Sequence, residues 1–264
     1  MKILKLKQPK EIMEIYVIGD THYPRGKRGK FLKVLDEILK NKNGYLLGIG
    51  DWCENIVAGD PRYNPEDFGN YMQEYGSPMN MINQQWQTFE KDILPLAKAN
   101  KIIGLHAGNH ESTYSRRHSD NKLKELCERN NIVYLDEGHI IHQIEYKGSR
   151  ILIQSFHGCG GGTSIGGNYN KLDSFSLIAD DVDVILAGHT HKLGINITAD
   201  RLKVNNGDVK QQIQYQCSCG SFLGNYDIDS VSYAERNAYR PLPIGYVKIV
   251  LNKGKIAEVK AIPV

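Results

Sequence analysis

A chain of 264 residues that is 41% hydrophobic and 24% charged is long enough for one large core, and it has no apolar run approaching transmembrane length. A net charge of +3 and a pI near 8.4 exclude the basicity of a dedicated nucleic-acid binder while allowing a phosphate-bearing substrate. Five scattered cysteines (Cys53, Cys127, Cys159, Cys217, Cys219) exclude a disulfide framework, and Met1 to Lys10 lacks the apolar stretch of a signal peptide, so a cytoplasmic protein is expected.

In chain order, the first strand is expected over Glu14 to Ile18, and it ends in Gly19-Asp20-Thr21-His22. A carboxylate and an imidazole two residues apart at a strand end can turn to one point, and the pair suits a divalent metal. Phe31 to Leu39 has helical spacing, and this strand-then-helix order suggests an α/β layer arrangement. The next buried strand, Tyr45 to Ile49, runs into Gly50-Asp51. Trp52 to Pro78 breaks into Pro, Gly, Asn and Tyr and reads as an irregular insertion. Met79 to Ala99 reads as a helix that Pro95 ends or kinks.

A third strand, Lys101 to Leu105, leads to His106-Ala107-Gly108-Asn109-His110-Glu111. A helix over Leu123 to Arg129 precedes short strands at Ile132 to Leu135, Ile140 to Tyr146 and Arg150 to Phe156, the last delivering His157. A glycine-rich loop, Gly158 to Gly167, a helix at Leu172 to Ala179 and a strand at Val182 to Ala187 then reach Gly188-His189-Thr190-His191. Antiparallel strands are expected at Gly194 to Thr198, Gln211 to Cys217, Tyr246 to Leu251 and Ile256 to Ile262. Asp200 to Asp208 and Leu223 to Pro243 read as excursions. One domain over 1–264 is expected, with insertions near 52–78 and 200–243.

Five times the chain sets metal-capable side chains directly after an apolar strand: Asp20 and His22, Asp51, Asn109 and His110, His157, and His189 with His191. In an open α/β sheet the ligand crevice lies outside the carboxyl ends of the strands, so these groups can converge there. The series Asp-x-His, Gly-Asp, Gly-Asn-His-Glu, a lone His and Gly-His-x-His resembles the calcineurin-like metallophosphoesterase superfamily. The matches run from Asp20 to His191.

The resemblance implies an α/β fold, a four-layer α/β/β/α sandwich of two mixed sheets flanked by helices, with the site at one edge. It assigns Asp20, His22 and His191 to one metal and Asn109, His157 and His189 to a second, bridged by Asp51. Two divalent ions are expected, from Mn, Fe, Zn, Co or Ni, with Mn foremost in vitro. The implied reaction is hydrolysis of a phosphoester by a hydroxide bridging the metals. His110 is the expected catalytic residue, placed to stabilise or protonate the leaving oxygen, with Glu111 or Asp51 as its orienting partner.

A phosphodiester is favoured over a monoester. The phosphoprotein-phosphatase branch carries Gly-Asp-x-Val-Asp-Arg-Gly, whereas this chain has Gly50-Asp51-Trp52-Cys53-Glu54-Asn55. A nuclease on DNA or RNA and a phosphomonoesterase are the enzymatic alternatives. A non-catalytic binding module on the same scaffold is the alternative of another class, and the intact ligand set argues against it. The expected partner is a phosphoester substrate, a nucleotide or nucleic acid being within range, with no membrane.

Arg116 and Arg117, just past Glu111, are candidate phosphate clamps. Arg25, Lys27, Arg28 and Lys30 either steer a polyanion or form a solvated helix face. Trp52, Tyr63, Phe68, Tyr71 and Tyr75, and likewise Tyr226, Tyr233 and Tyr239, either stack on a base or pack the insertions. The glycines of 158–167 lack the end of a P-loop, and Cys217-Ser218-Cys219 reads as strand. His106, His118, His139 and His142 match no motif and are expected to be structural or solvent-facing.

Overall fold

The structure is a computed structural model that describes all residues except 58–59, 61–62, 64–76, 161–163, 180, 206, 225, 227–234 and 236–237, and at 78, 199–205 and 210 the backbone alone. The first half contains β1 (Lys2–Lys7), β2 (Ile12–Ile18), α1 (Arg28–Lys40), β3 (Gly44–Gly48), α2 (Pro78–Lys98), β4 (Ile102–His106), α3 (Asn109–His118) and α4 (Lys122–Arg129). The second contains β5 (Tyr134–Asp136), β6 (Ile140–Tyr146), β7 (Ser149–Phe156), α5 (Ile165–Ser176), β8 (Val184–Ala187), β9 (Leu193–Asn205), β10 (Asp208–Cys219), β11 (Gly245–Asn252) and β12 (Lys255–Pro263).

Successive side chains of a strand point to opposite faces, so a strand buried on both sides reads as continuously apolar. In β2, Ile15 and Val17 join one core cluster, and Tyr16 and Ile18 join another. The first cluster lies between two six-stranded sheets, ordered β12-β11-β2-β3-β4-β5 and β1-β6-β7-β8-β10-β9. The second lies under α1 to α4, and a third, with Phe156, Leu172, Phe175 and Ile185, lies under α5. The result is helices, sheet, sheet and helix in four layers.

Each helix supplies its own stripe. Phe31, Val34, Leu35 and Ile38 of α1 recur at the spacing of one helical face and are buried. α2 starts at Ser77, whose side chain accepts from the Asn80 amide at 3.2 Å, and it runs through Pro95 to Lys98. Pro95 falls in the last turn, where little helix remains to be disrupted.

Besides α3, whose polar sequence predicts no helix, three elements differ from the sequence reading. The lysine–apolar alternation at the N-terminus forms β1, which pairs in parallel with β6. α5 begins at Ile165 inside the expected glycine loop, because Ser164 accepts from the Gly167 amide at 3.0 Å and caps it. Residues 200–208 are not an excursion: β9 and β10 continue through most of them as the end of a long antiparallel hairpin.

β2, β3 and β4 are neighbouring parallel strands of one sheet, and β7 and β8 are neighbouring parallel strands of the other. Their carboxyl ends therefore open on one edge of the sandwich. All five motifs follow these ends.

Candidate metal centre

Asp20 and His22 follow β2, Asp51 follows β3, Asn109 and His110 open α3 after β4, His157 follows β7, and His189 and His191 follow β8. Asp20, His22, Asp51, His189 and His191 all have positive φ, between 49° and 66°. Non-glycine residues pay roughly 1–3 kcal/mol each for that backbone, and such residues collect at functional sites. Glycine allows close approach at two points. A Cβ on Gly108 would lie 2.1 Å from Asp51 Oδ1, and one on Gly188 would lie 2.6 Å from Asp20 Oδ2.

One donor group consists of Asp20, His22 and His191. The two imidazoles aim Nε2 at each other across 3.1 Å, and His191 Nε2 is 3.3 Å from Asp20 Oδ1. Asp20 also accepts from the His189 amide at 3.1 Å. The second group is Asp51, His157 and His189. His157 donates from Nδ1 to the Ile49 carbonyl at 3.0 Å, which leaves Nε2 facing Asp51 Oδ2 at 3.1 Å and Asn109 Oδ1 at 3.1 Å. Asn109 Oδ1 lies 2.7 Å from His189 Nδ1.

Asp51 Oδ2 is common to both groups, being 4.0 Å from His22 Nε2 as well. Burial opposes charging of these groups, but the carboxylates outweigh it at the rings: Glu54, Asp20 and Asp51 raise His22 to about 10, and Asp51 foremost raises His157 to about 9. Against the same burial, the facing histidines hold Asp20 and Asp51 below the usual carboxylate range. Ionised oxygens and imidazole nitrogens converging at these distances are the donor chemistry of divalent transition metals, so the residues fit such a pair.

A third cluster adjoins the first two. Glu54, 1% exposed, lies 3.4 Å from His22 Nδ1 through Oε1 and 3.6 Å from His110 Nδ1 through Oε2. The His110 ring donates from Nδ1 to the Glu54 carbonyl at 2.6 Å and points Nε2 toward Asp51 Oδ2 at 3.9 Å. The histidines bring Glu54 down to about 2 against its burial.

The His110 ring is hydrogen-bonded to the Glu54 carbonyl, while Asp51, one of the two partners expected from the sequence, faces its Nε2 at 3.9 Å. Asp51 also holds its backbone, accepting from the His110 amide at 2.9 Å. Glu111 holds the scaffold instead. Its carboxylate accepts from the amides of Asp51, Trp52, Cys53 and Gly108 at 2.8 to 3.2 Å, tying the loop after β3 to the start of α3. Burial and Asp51 push Glu111 up to about 7 against these donors.

Arg116 and Arg117 lie at the far end of α3, where Arg116 is 3.5 Å from Glu137 and Arg117 3.7 Å from Asp60. Of the basic run after the first motif, Arg28 forms a bidentate pair with Asp92 at 2.6 and 2.7 Å, and Lys30 donates to the Val264 carbonyl. Trp52 is fully buried and stacks on Phe89, while Tyr226 donates its hydroxyl to the Tyr239 carbonyl. Phe68, Tyr71, Tyr75 and Tyr233 lie outside the described residues. His106 and His142 are buried, His139 stacks on Phe156, and His118 is exposed. The five cysteines are free, and Cys217 and Cys219 are buried in β10.

A sequence model of calcineurin-like phosphoesterases matches residues 13–193. Among solved structures, a predicted phosphoesterase of Streptococcus pneumoniae is 13% identical, with 96% of this chain and 90% of that chain covered and a TM-score of 0.41. The Vps29 of Entamoeba histolytica complexed with zinc is 17% identical over 96% of this chain and 98% of that one, with a TM-score of 0.42. The Vacuolar Protein Sorting 29 of Cryptosporidium parvum is 16% identical over 96% and 99%, also at 0.42. No curated protein matches the chain.

Proposed function

The chain belongs to the calcineurin-like phosphoesterase family, and from that premise we propose that it hydrolyses phosphodiesters at a centre of two divalent metals. The observation that carries the reading is Asp51 Oδ2, a single carboxylate oxygen facing His157, His22 and His110 at 3.1, 4.0 and 3.9 Å. One shared oxygen fits a paired centre better than two independent sites. Asp20, His22 and His191 would hold one ion, and Asn109, His157 and His189 the other, with Asp51 between them.

Bound there, the ions supply Lewis acidity toward the phosphoryl oxygens and a water ionised near neutral pH. His110 carries a proton at Nε2 for the leaving oxygen, while its Nδ1 is tied to the Glu54 carbonyl. Glu54 holds the His110 ring by its backbone carbonyl and sets its carboxylate 3.4 Å from His22 Nδ1, an electrostatic contact with the same cluster. Glu111 keeps the loop bearing Asp51 against the helix bearing Asn109 and His110. The phosphodiester preference rests on the Gly188-His189-Thr190-His191 form of the last motif and on Glu54-Asn55 in place of the Asp-Arg of phosphoprotein phosphatases.

Mn is the ion we propose for activity in vitro, and a nucleotide or a nucleic acid is the proposed source of the phosphodiester. No helix among the described residues is long and apolar enough to cross a membrane. A cytoplasmic location belongs to the same reading.

The test is hydrolysis of bis-p-nitrophenyl phosphate against p-nitrophenyl phosphate by metal-stripped protein, with and without added Mn. Activity restored by metal and favouring the diester supports the reading. Preference for the monoester moves the protein to the phosphatases, and inactivity on both with metal bound favours a binding module.

A further inference from the structure

We infer that Arg25 is the residue that contacts the substrate's phosphate, an assignment that rests on the phosphoesterase reading and adds a residue to its site. A phosphoester brings negative charge to a centre already rich in carboxylates. Asp20, Asp51, Glu54 and Glu111, all at most 5% exposed, would offset two divalent ions. An anion then gains from a further fixed cation at the rim, and guanidinium matches phosphate oxygens with two parallel donors.

Position singles out Arg25 for this role. The loop after β2 is zipped to the loop after β3 by backbone hydrogen bonds: His22 to Asp51 at 3.1 Å, Tyr23 to Trp52 at 2.9 Å, and Glu54 back to Tyr23 at 2.9 Å. The Gly26 amide then turns back to the His22 carbonyl at 3.0 Å, and a Cβ at Gly26 would lie 1.8 Å from the Thr21 carbonyl oxygen, so the turn is tight. Arg25 is held in that turn, three residues from His22, and its Nη1 is 3.7 Å from Glu54 Oε1.

Glu54 is the carboxylate that also faces His22 and His110. The guanidinium therefore has one side on the buried cluster, while 27% of the side chain remains exposed to solvent. At 3.7 Å, one carboxylate oxygen engages only part of a five-donor fork. Arg116 and Arg117, the candidates by sequence order, sit two turns along α3 from His110, roughly 10 Å at 1.5 Å per residue, beside Glu137 and Asp60. Arg28 is committed to Asp92 through Nε and Nη2.

The deciding experiment is calorimetric titration of inorganic phosphate into Mn-loaded protein, alongside KM and kcat for bis-p-nitrophenyl phosphate. The comparison set is wild type, Arg25→Gln, Arg25→Lys and, as control, Arg129→Gln, which lies on α4 beside Glu90. Arg25→Gln is expected to weaken phosphate binding and raise KM by about tenfold or more, with a smaller change in kcat, because the contact is made to bound substrate and transition state alike. Arg25→Lys should fall between it and wild type, since an ammonium supplies charge without the fork. Arg129→Gln should match wild type within about twofold.

Wild-type phosphate affinity in Arg25→Gln, with the diester still hydrolysed, overturns the assignment and leaves the phosphoesterase reading standing. Neither phosphate binding nor hydrolysis by wild type removes both. Should Arg25→Gln fail to fold, Arg25→Lys decides: wild-type affinity and KM in that variant overturn the fork contact.

Discussion

The His110 ring is anchored at Nδ1 by the Glu54 carbonyl and is 8% exposed, so its one functional direction is Nε2, turned to the side of the centre where Asp51 Oδ2 lies. It ligates neither of the two principal donor groups. His110→Asn should therefore leave metal content per chain unchanged by elemental analysis and lower kcat on a phosphodiester by about two to four decades, the usual size of an acid–base contribution. Unchanged turnover would remove His110 from the chemistry. The candidate ligand residues are legible in the sequence because each follows a short apolar strand, and the C-terminal ends of parallel strands share an edge. Glu54 is not. It belongs to an irregular stretch after Asp51, and its approach to His22 and His110 depends on side-chain packing between two loops.

The elements that carry these residues are held by backbone contacts that tolerate no added bulk. The first turn of α3 lies against the loop after β3, with Gly108 at the contact and Glu111 accepting amides from both sides. Gly108→Ala would bring a methyl carbon within 2.4 Å of the Asp51 amide nitrogen, and since both partners are backbone or ligand, something must shift. The expected result is loss of tight zinc binding, read by competition with a chromophoric chelator, together with a lower urea midpoint. Wild-type zinc affinity in this variant would mean the two loops are not locked to each other. The polar sequence Asn109 to His118 has no apolar period, which is why α3 was invisible before the fold was known. Its helix is set by Glu111 capping the Gly108 amide and by Tyr114 packing into the core. β1 was hidden for a related reason, since an edge strand of alternating lysines carries little apolar signal. The central strands were legible because both faces are buried, and their side chains have no polar alternative.

At the scale of the whole molecule, two histidines outside the centre are buried near its sheet–sheet interior. His106 on β4 donates from Nδ1 to the Asp136 carbonyl and accepts at Nε2 from Ser155, whose oxygen accepts in turn from His142 Nε2. Burial pushes His106 down to about 3 and His142 down to about 4, so both rings are neutral in the folded protein. The unfolded chain binds a proton at each below about 6.5. Stability from these rings is therefore complete above that pH and falls as pH drops toward about 4 and about 3, with a slope approaching about 1.4 kcal/mol per pH unit for each. Urea midpoints taken from pH 6.5 to 4.5 should decline, the raised Glu111 offsetting only one of the two rings, and His142→Gln should flatten the decline because glutamine does not titrate. An identical slope in the variant would show that His142 does not carry the effect.

A single centre shared through Asp51 is proposed to hold two ions and to hydrolyse a phosphoester with them. The most direct measurement is metal content per chain against restored diesterase activity as Mn is titrated into stripped protein. Two equivalents should bind at saturation, with turnover appearing only as the second is taken up. One equivalent at saturation, or full loading without turnover on any phosphoester, would contradict it.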